Sequence, residues 1–320
     1  MILFWTDPAA PGGWPRLERS VNLGVHAAPR RHLVVAAPRS RRVEKYLAAR
    51  RVPAVWHEQV LRDFPEVVRL TIVDVGQYNQ PFLRMVAMCG EREIPVIPIR
   101  DPGDPAFEWK EGCLGGWPPG GDSQSPPGPA WAILHPRFRH VNRARRTYSR
   151  RVRKILLNLE DRLGYRELRD LIDCLWRLGY RLRIGPTFLV RDNLKRALSR
   201  KYPGIRWVGA VECMARPLFE ADAAIVAPGA AALEAAAAGT PAFYFSRNAG
   251  ERDIAVQLQA LGMGMVLTSF KEPLESPNRD TLRQWGENGR KLVDGRGLFR
   301  TLEYLRDQGH LSHALNGAAS

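Results

Sequence analysis

Short apolar runs alternate with amphipathic stretches along most of the chain. In the first half the runs fall at 1–5, 32–37, 70–75, 93–99 and 131–134, and the segments at 41–51 and 81–89 carry helical periodicity. Unbroken apolar runs suit strands covered on both faces, and strands separated by helices pair in parallel, so this half predicts βαβ units. The second half is more regular. Strands are predicted at 155–157, 181–184, 205–208, 223–226, 242–245 and 263–267, and helices at 164–178, 192–200, 215–219, 230–238 and 252–261, followed by a helical tail over 279–308. Residues 309–320 read as a frayed end.

Two segments interrupt the alternation. Residues 101–129 are dominated by Pro, Gly, Asp and Trp, which makes a long loop whose Trp109, Trp117 and Trp131 suit sugar stacking or an acceptor-facing surface as well as a plain insertion. Residues 137–154 are dense in arginine and end at an apolar strand, the composition of an interdomain linker. A chain of 320 residues exceeds what one hydrophobic core usually serves. The reading is therefore α/β with two Rossmann-like domains and a cleft between them: 1–150 on the acceptor side, 151–300 binding nucleotide-sugar, and a helical tail over 301–320.

Composition narrows the class without naming the chemistry. With 45% hydrophobic and 25% charged residues the chain suits a globular protein, and no run approaches the roughly 20 apolar residues of a membrane span, so a cytoplasmic protein is expected. The net charge of +15 favours anionic partners: nucleotide-sugars, acidic glycans, nucleic acid or, peripherally, a membrane surface. Arg30, Arg31, Arg39, Arg41 and Arg42 could meet an acidic acceptor or form a solvated face. No zinc-finger, RNP or helix-hairpin signature points to specific nucleic-acid binding. The four cysteines have no metal-ligand spacing.

The most informative passage is Ala221-Asp-Ala-Ala-Ile-Val-Ala-Pro-Gly-Ala-Ala-Ala-Leu-Glu-Ala-Ala-Ala-Ala-Gly-Thr-Pro241. It reads as a strand, a Pro-Gly turn, an alanine-rich helix and a second strand. Gly229 opens the helix, where free backbone N–H groups and the positive end of the dipole favour a phosphate. Ala230 and Ala231 keep that surface open. Glu234 lies about one turn further on, placed to accept hydrogen bonds from ribose hydroxyls.

With Asp222, Ile225, Gly229, Glu234, Gly239 and Pro241 in this spacing, the chain resembles a GT-B superfamily branch. That branch holds the UDP-sugar hydrolase of pseudaminic acid biosynthesis and spore-coat polysaccharide glycosyltransferase-like proteins, and is related to the lipid II-forming N-acetylglucosaminyltransferase. The resemblance implies that Gly229, Ala230 and Ala231 meet the donor diphosphate, Glu234 the ribose, and Cys213 and Met214 the base through their backbone. Asn248, Glu251 and Arg252 stand where that family grips the sugar. Residues 70–74 and 135–139 look like its first-domain strand and its interdomain crossing.

There are departures. The family's first loop carries a histidine after glycine, whereas this chain has Gly12-Gly13-Trp14, expected here to form an acceptor loop. Its Gly-Gly-Ser-Asp loop is replaced by Asn158-Leu159-Glu160-Asp161. Asp7, following the first strand, is the leading candidate for a general base, and Asp74, ending another strand, serves as base, acceptor ligand or structural cap. His26 and His57 are further histidines in the first half. The expected activity is metal-independent transfer of a sugar from a nucleotide-sugar to an acceptor in surface-glycan biosynthesis, with the nucleotide-sugar as substrate and no cofactor. Nucleotide-sugar hydrolysis, or binding without catalysis, are the alternatives.

Overall fold

The computed structural model describes residues 1–10, 13–100, 114, 128–159, 165–185, 192–208, 213–267 and 277–316. Two compact units divide them: Met1–His135 together with Arg296–Ser320, and Pro136–Gly295.

The first unit alternates β1 (Ile2–Thr6), α1 (Gly13–Ala27), β2 (Leu33–Ala37), α2 (Arg41–Ala49), β3 (Ala54–Trp56), α3 (His57–Arg62), β4 (Leu70–Asp74), α4 (Gln80–Glu91) and β5 (Val96–Pro98). Its strands are parallel in the order β3-β2-β1-β4-β5. Every residue of β1, β2 and β4 is buried, as expected of strands covered on both faces. Leu3, Trp5, Val34, Ala36, Val73, Phe82 and Met85 pack one side of the sheet. Two late helices, α12 (Gly297–Asp307) and α13 (His310–Asn316), complete this unit, α12 packing on α1 and α13 on β4.

The second unit begins with α5 (Arg137–Arg143) and continues as β6 (Lys154–Asn158), α6 (Tyr165–Arg177), β7 (Arg181–Ile184), α7 (Asp192–Lys201), β8 (Arg206–Trp207), α8 (Ala215–Phe219), β9 (Ala223–Val226), α9 (Ala230–Ala237), β10 (Ala242–Tyr244), α10 (Ala249–Ala260), β11 (Gly264–Val266) and α11 (Arg279–Leu292). Its parallel sheet runs β11-β10-β9-β6-β7-β8. Ile155, Leu157, Ile225 and Phe243 face the apolar side of α6 and α7.

The arginine-rich segment after Pro136 is fastened into this second unit. Asn142 Nδ2 donates to the carbonyls of Ala237, Arg290 and Val293, each at 3.1 Å. Arg146 donates to the carbonyls of Phe219, at 2.7 Å, and Ala221. Arg290 donates to those of Ala144 and Val141. Both guanidiniums thus sit where α5 and α8 end, and helix C-termini present the negative pole that a desolvated cation needs. Burial still holds Arg146 down to about 10.

Three expectations need correction. Residues 131–134 form no strand: a short 3-10 turn, Pro129–Trp131, occupies the start of that run. The helical tail is two helices, α11 ending at Leu292 and α12 starting at Gly297. The segment expected to fray contains α13, docked by the buried Leu311 and Ala314. Among the described residues, no helix is long and apolar enough to cross a membrane.

Candidate functional site

In an open parallel sheet, ligands settle at the carboxyl ends of the strands, at the point where successive connections leave in opposite directions. Both sheets have such a point. In the second unit it lies between β6, which leads toward β7 and β8, and β9, which leads toward β10 and β11. The Pro228-Gly229 turn and the start of α9 are at that place.

Gly229 adopts φ 124° and ψ −136°, a conformation L side chains rarely reach, and a Cβ there would meet nothing within 4 Å. Conformation rather than crowding therefore requires glycine, and the space beside the first amides of α9 stays open. Ala230 and Glu234 are half-buried and Ala231 is buried. Four residues separate Ala230 from Glu234, so the two share a helix face.

The other second-unit candidates stand at the starts of α8 and α10. Met214 is buried at the start of α8, and the thiol of Cys213 accepts from Ala215 N at 3.3 Å, so both fasten that helix start. Asn248 caps α10: its Oδ1 accepts from Glu251 N at 2.9 Å, while Glu251 Oε2 accepts from Arg247 N at 2.9 Å. Arg252 is exposed on the first turn of α10. The pattern residue Asp222 does a structural job: Ser149 Oγ and the amides of Arg153 and Lys154 donate to its carboxylate. Glu160 and Asp161 lie outside the described residues.

In the first unit the corresponding point lies between β1 and β4, and Thr6 pairs with Asp74 across it. Asp7 follows β1, and its Oδ1 accepts from Ala9 N at 3.1 Å and Ala10 N at 3.3 Å, an Asx-type turn that shapes the loop. Asp74 is wholly buried. Arg19 grips it through both oxygens at 2.8 and 2.7 Å, and Arg16 Nη1 donates to it at 3.3 Å. Asp74 thereby ties α1 to β4.

The expected acceptor loop is in part helix. Gly12 lies outside the described residues, while Gly13 and Trp14 open α1. A Cβ on Gly13 would lie 2.0 Å from the Asp7 carbonyl oxygen, so the helix start abuts the β1 turn. Trp14 is 5% exposed, edge-on to Tyr46 and covered by the guanidinium of Arg42. Of the histidines, His26 is exposed on α1. His57 is buried, stacked on Trp5 with centroids 3.8 Å apart and planes 2° apart. Burial pulls its pKa down to about 4, against the opposing influence of Asp7 and of the Ala36 and Thr6 backbone. Sequence reasoning did not find Arg16 and Arg19 as partners of Asp74; their i, i+3 spacing on a helix following β1 was the available signal.

No family model matches the chain, and no curated protein matches it in sequence. Solved structures do. A MurG of Acinetobacter baumannii superposes with TM-score 0.65 at 15% identity, over 96% of this chain and 99% of that one. A Streptomyces glycosyltransferase complexed with thymidine diphosphate gives 0.56 at 13%, over 96% and 99%. A structure described as a UDP-N-acetylglucosamine 2-epimerase of Listeria monocytogenes gives 0.57 at 10%, over 96% of each. The chain shares with them the GT-B fold of two Rossmann-like, parallel-sheet domains.

Proposed function

We propose that the protein is a glycosyltransferase that binds a nucleotide-sugar donor in its second unit and passes the sugar to an acceptor engaged by its first, in surface-glycan assembly. The observation that carries the reading is the Gly229 turn. A left-handed glycine with open space beside it delivers the first amides of α9 to the carboxyl edge of the sheet, at the strand-order reversal, with Glu234 one turn along. Helix-start amides that need no reorganisation stabilise a leaving diphosphate without a metal ion. Glu234 receives the ribose hydroxyls. Cys213 and Met214 border the base, and Asn248, Glu251 and the exposed Arg252 meet the sugar.

On the acceptor side, Asp7 is the general base of this scheme. Its Oδ1 is held by two loop amides, leaving Oδ2 to take the proton of an attacking hydroxyl. Asp74 is a positioning residue, since its oxygens are occupied by Arg16 and Arg19. Gly13 keeps the Asp7 loop against α1.

Thermal shift against UDP, CMP, GDP, dTDP and their sugars tests the donor site, because a ligand that binds only the folded state raises its melting temperature. One nucleotide class should stabilise the wild type, and Glu234→Ala should abolish the shift. Stabilisation that survives Glu234→Ala would remove the ribose role. No shift with any nucleotide would sink the reading. Release of free sugar without an acceptor would favour hydrolysis over transfer.

A further inference from the structure

At one end of the second sheet, β6, β7 and β8 carry cations where a sheet face is usually apolar. Lys154, the first residue of β6, is in register with Arg181, the first of β7, and Arg183 is in register with Arg206, the first of β8. Registered side chains point the same way, so the four share one face, opposite the one where Ile155, Leu157, Leu182 and Ile184 join the core. Lys154, Arg181 and Arg206 are exposed. Neighbouring strands lie about 4.8 Å apart, so like charges stand side by side twice, an arrangement that repels.

Three nearby acids are already engaged. Glu220 is shared between Arg183, at 2.8 Å, and Arg216, at 2.7 Å. Asp222 accepts from Ser149 and from the amides of Arg153 and Lys154. Asp173 on α6 is held by Arg177, Lys201 and Tyr202. Among the described residues no ion pair reaches Arg151, Arg153, Lys154, Arg181 or Arg206. The arginine strip that leads into β6 is also fixed in place, since Arg290 holds the Ala144 carbonyl at 2.8 Å and Arg279 that of Tyr148 at 3.1 Å. Leu178 adds an apolar element: it is 41% exposed, three residues before Arg181, with the half-buried Trp176 and Tyr180 on either side in sequence.

We propose that this face, with Leu178 at its margin, docks the second unit on an anionic bilayer surface. Arginine and lysine meet the lipid phosphates while Leu178 enters the headgroup layer, the pairing of basic and apolar side chains that holds a protein at a membrane interface. A partner bound through charge alone would gain nothing from an exposed leucine. Single-stranded polynucleotide would need exposed rings to stack on, whereas Tyr148 is buried and Trp176 and Tyr180 are half-buried. The cations lie toward the amino ends of the strands, the end opposite the Gly229 turn, so docking here stands apart from the donor-site reading.

The test is co-sedimentation of the full chain with phosphatidylcholine vesicles made with and without phosphatidylglycerol. Binding should require the anionic lipid and fall as salt screens it. Each cation near an anionic leaflet contributes about fivefold to partition, so Lys154→Gln, Arg181→Gln and Arg206→Gln together should weaken binding about a hundredfold. The triple variant relieves repulsion and should melt no lower than the wild type; Arg181→Gln alone gives a milder form of the same test. Removing as many exposed charges from the first unit, with Arg30→Gln, Arg41→Gln and Lys45→Gln, should leave binding nearly unchanged. Leu178→Ser should weaken vesicle binding severalfold with no change in charge. Equal binding to both vesicles, or equal losses in the two triple variants, would overturn the proposal. So would Leu178→Ser binding as the wild type does, with duplex DNA held more tightly than vesicles, which would assign the face to polynucleotide. Nucleotide thermal shifts should be the same in all these variants, so a failure of the donor site shows in its own assay.

Discussion

Acidification should destabilise the first unit through a single side chain, His57. An imidazole in water has a pKa near 6.5, and in the folded protein burial lowers that of His57 to about 4. Above pH 6.5 the ring is neutral folded or unfolded and contributes nothing to pH dependence. As pH falls from 6.5 toward 4, the unfolded chain takes up a proton that the folded chain refuses, so stability drops across that window. At 1.36 kcal/mol for each pKa unit, the full loss is about 3 kcal/mol, and about 2 kcal/mol by pH 5. His57→Phe preserves an aromatic stack on Trp5 and removes the titration. Hydrogen exchange at the β1 and β2 amides, followed from pH 7.5 to 4.5 in wild type and variant, isolates the effect from carboxylates common to both. By pH 4.5 the wild type should have lost about 2.5 kcal/mol more than the variant. Parallel pH profiles, or a His57 ring titrating near 6.5 by NMR, would refute the argument.

Other consequences are as direct. Asp74→Asn leaves Arg16 and Arg19 buried against a neutral amide and should cost about 3–5 kcal/mol by urea denaturation; a loss under 1 kcal/mol would mean that the guanidiniums find water. Gly229→Ala should lower stability by about 1–3 kcal/mol through backbone strain alone, since the space for a methyl is open. The same variant should weaken nucleoside diphosphate binding by calorimetry, and unchanged affinity would show that the turn tolerates a side chain without re-aiming the α9 amides.

The second unit was legible almost element by element. The runs at 181–184, 215–219 and 223–226 coincide with β7, α8 and β9, because apolar runs bounded by Gly, Pro or polar clusters leave one choice of period. In the first unit α1 was hidden by the Gly12-Gly13-Trp14-Pro15 turn signals. Proline is tolerated in a first helical turn, and Trp14, Leu17 and Val21 supply the buried face that overrides the turn propensity. β3 was invisible for a different reason: three residues after Pro53, one exposed and two half-exposed, carry no alternation to read. The turn at Gly229 could be anticipated from spacing, whereas the Asp74 anchor depends on two arginines reaching from α1, which no local pattern encodes.

The second unit is continuous in sequence, Pro136–Gly295, while the first is assembled from pieces on either side of it. The ammonium of Met1 donates to the Val67 carbonyl and to that of Ala314, on α13, and α12 packs on α1. During synthesis the nucleotide-binding candidate can therefore close its core while the other unit still waits for α12 and α13, the reverse of the usual amino-terminus-first order. A stop codon near residue 296 would leave the later-encoded unit whole and cripple the one translated first.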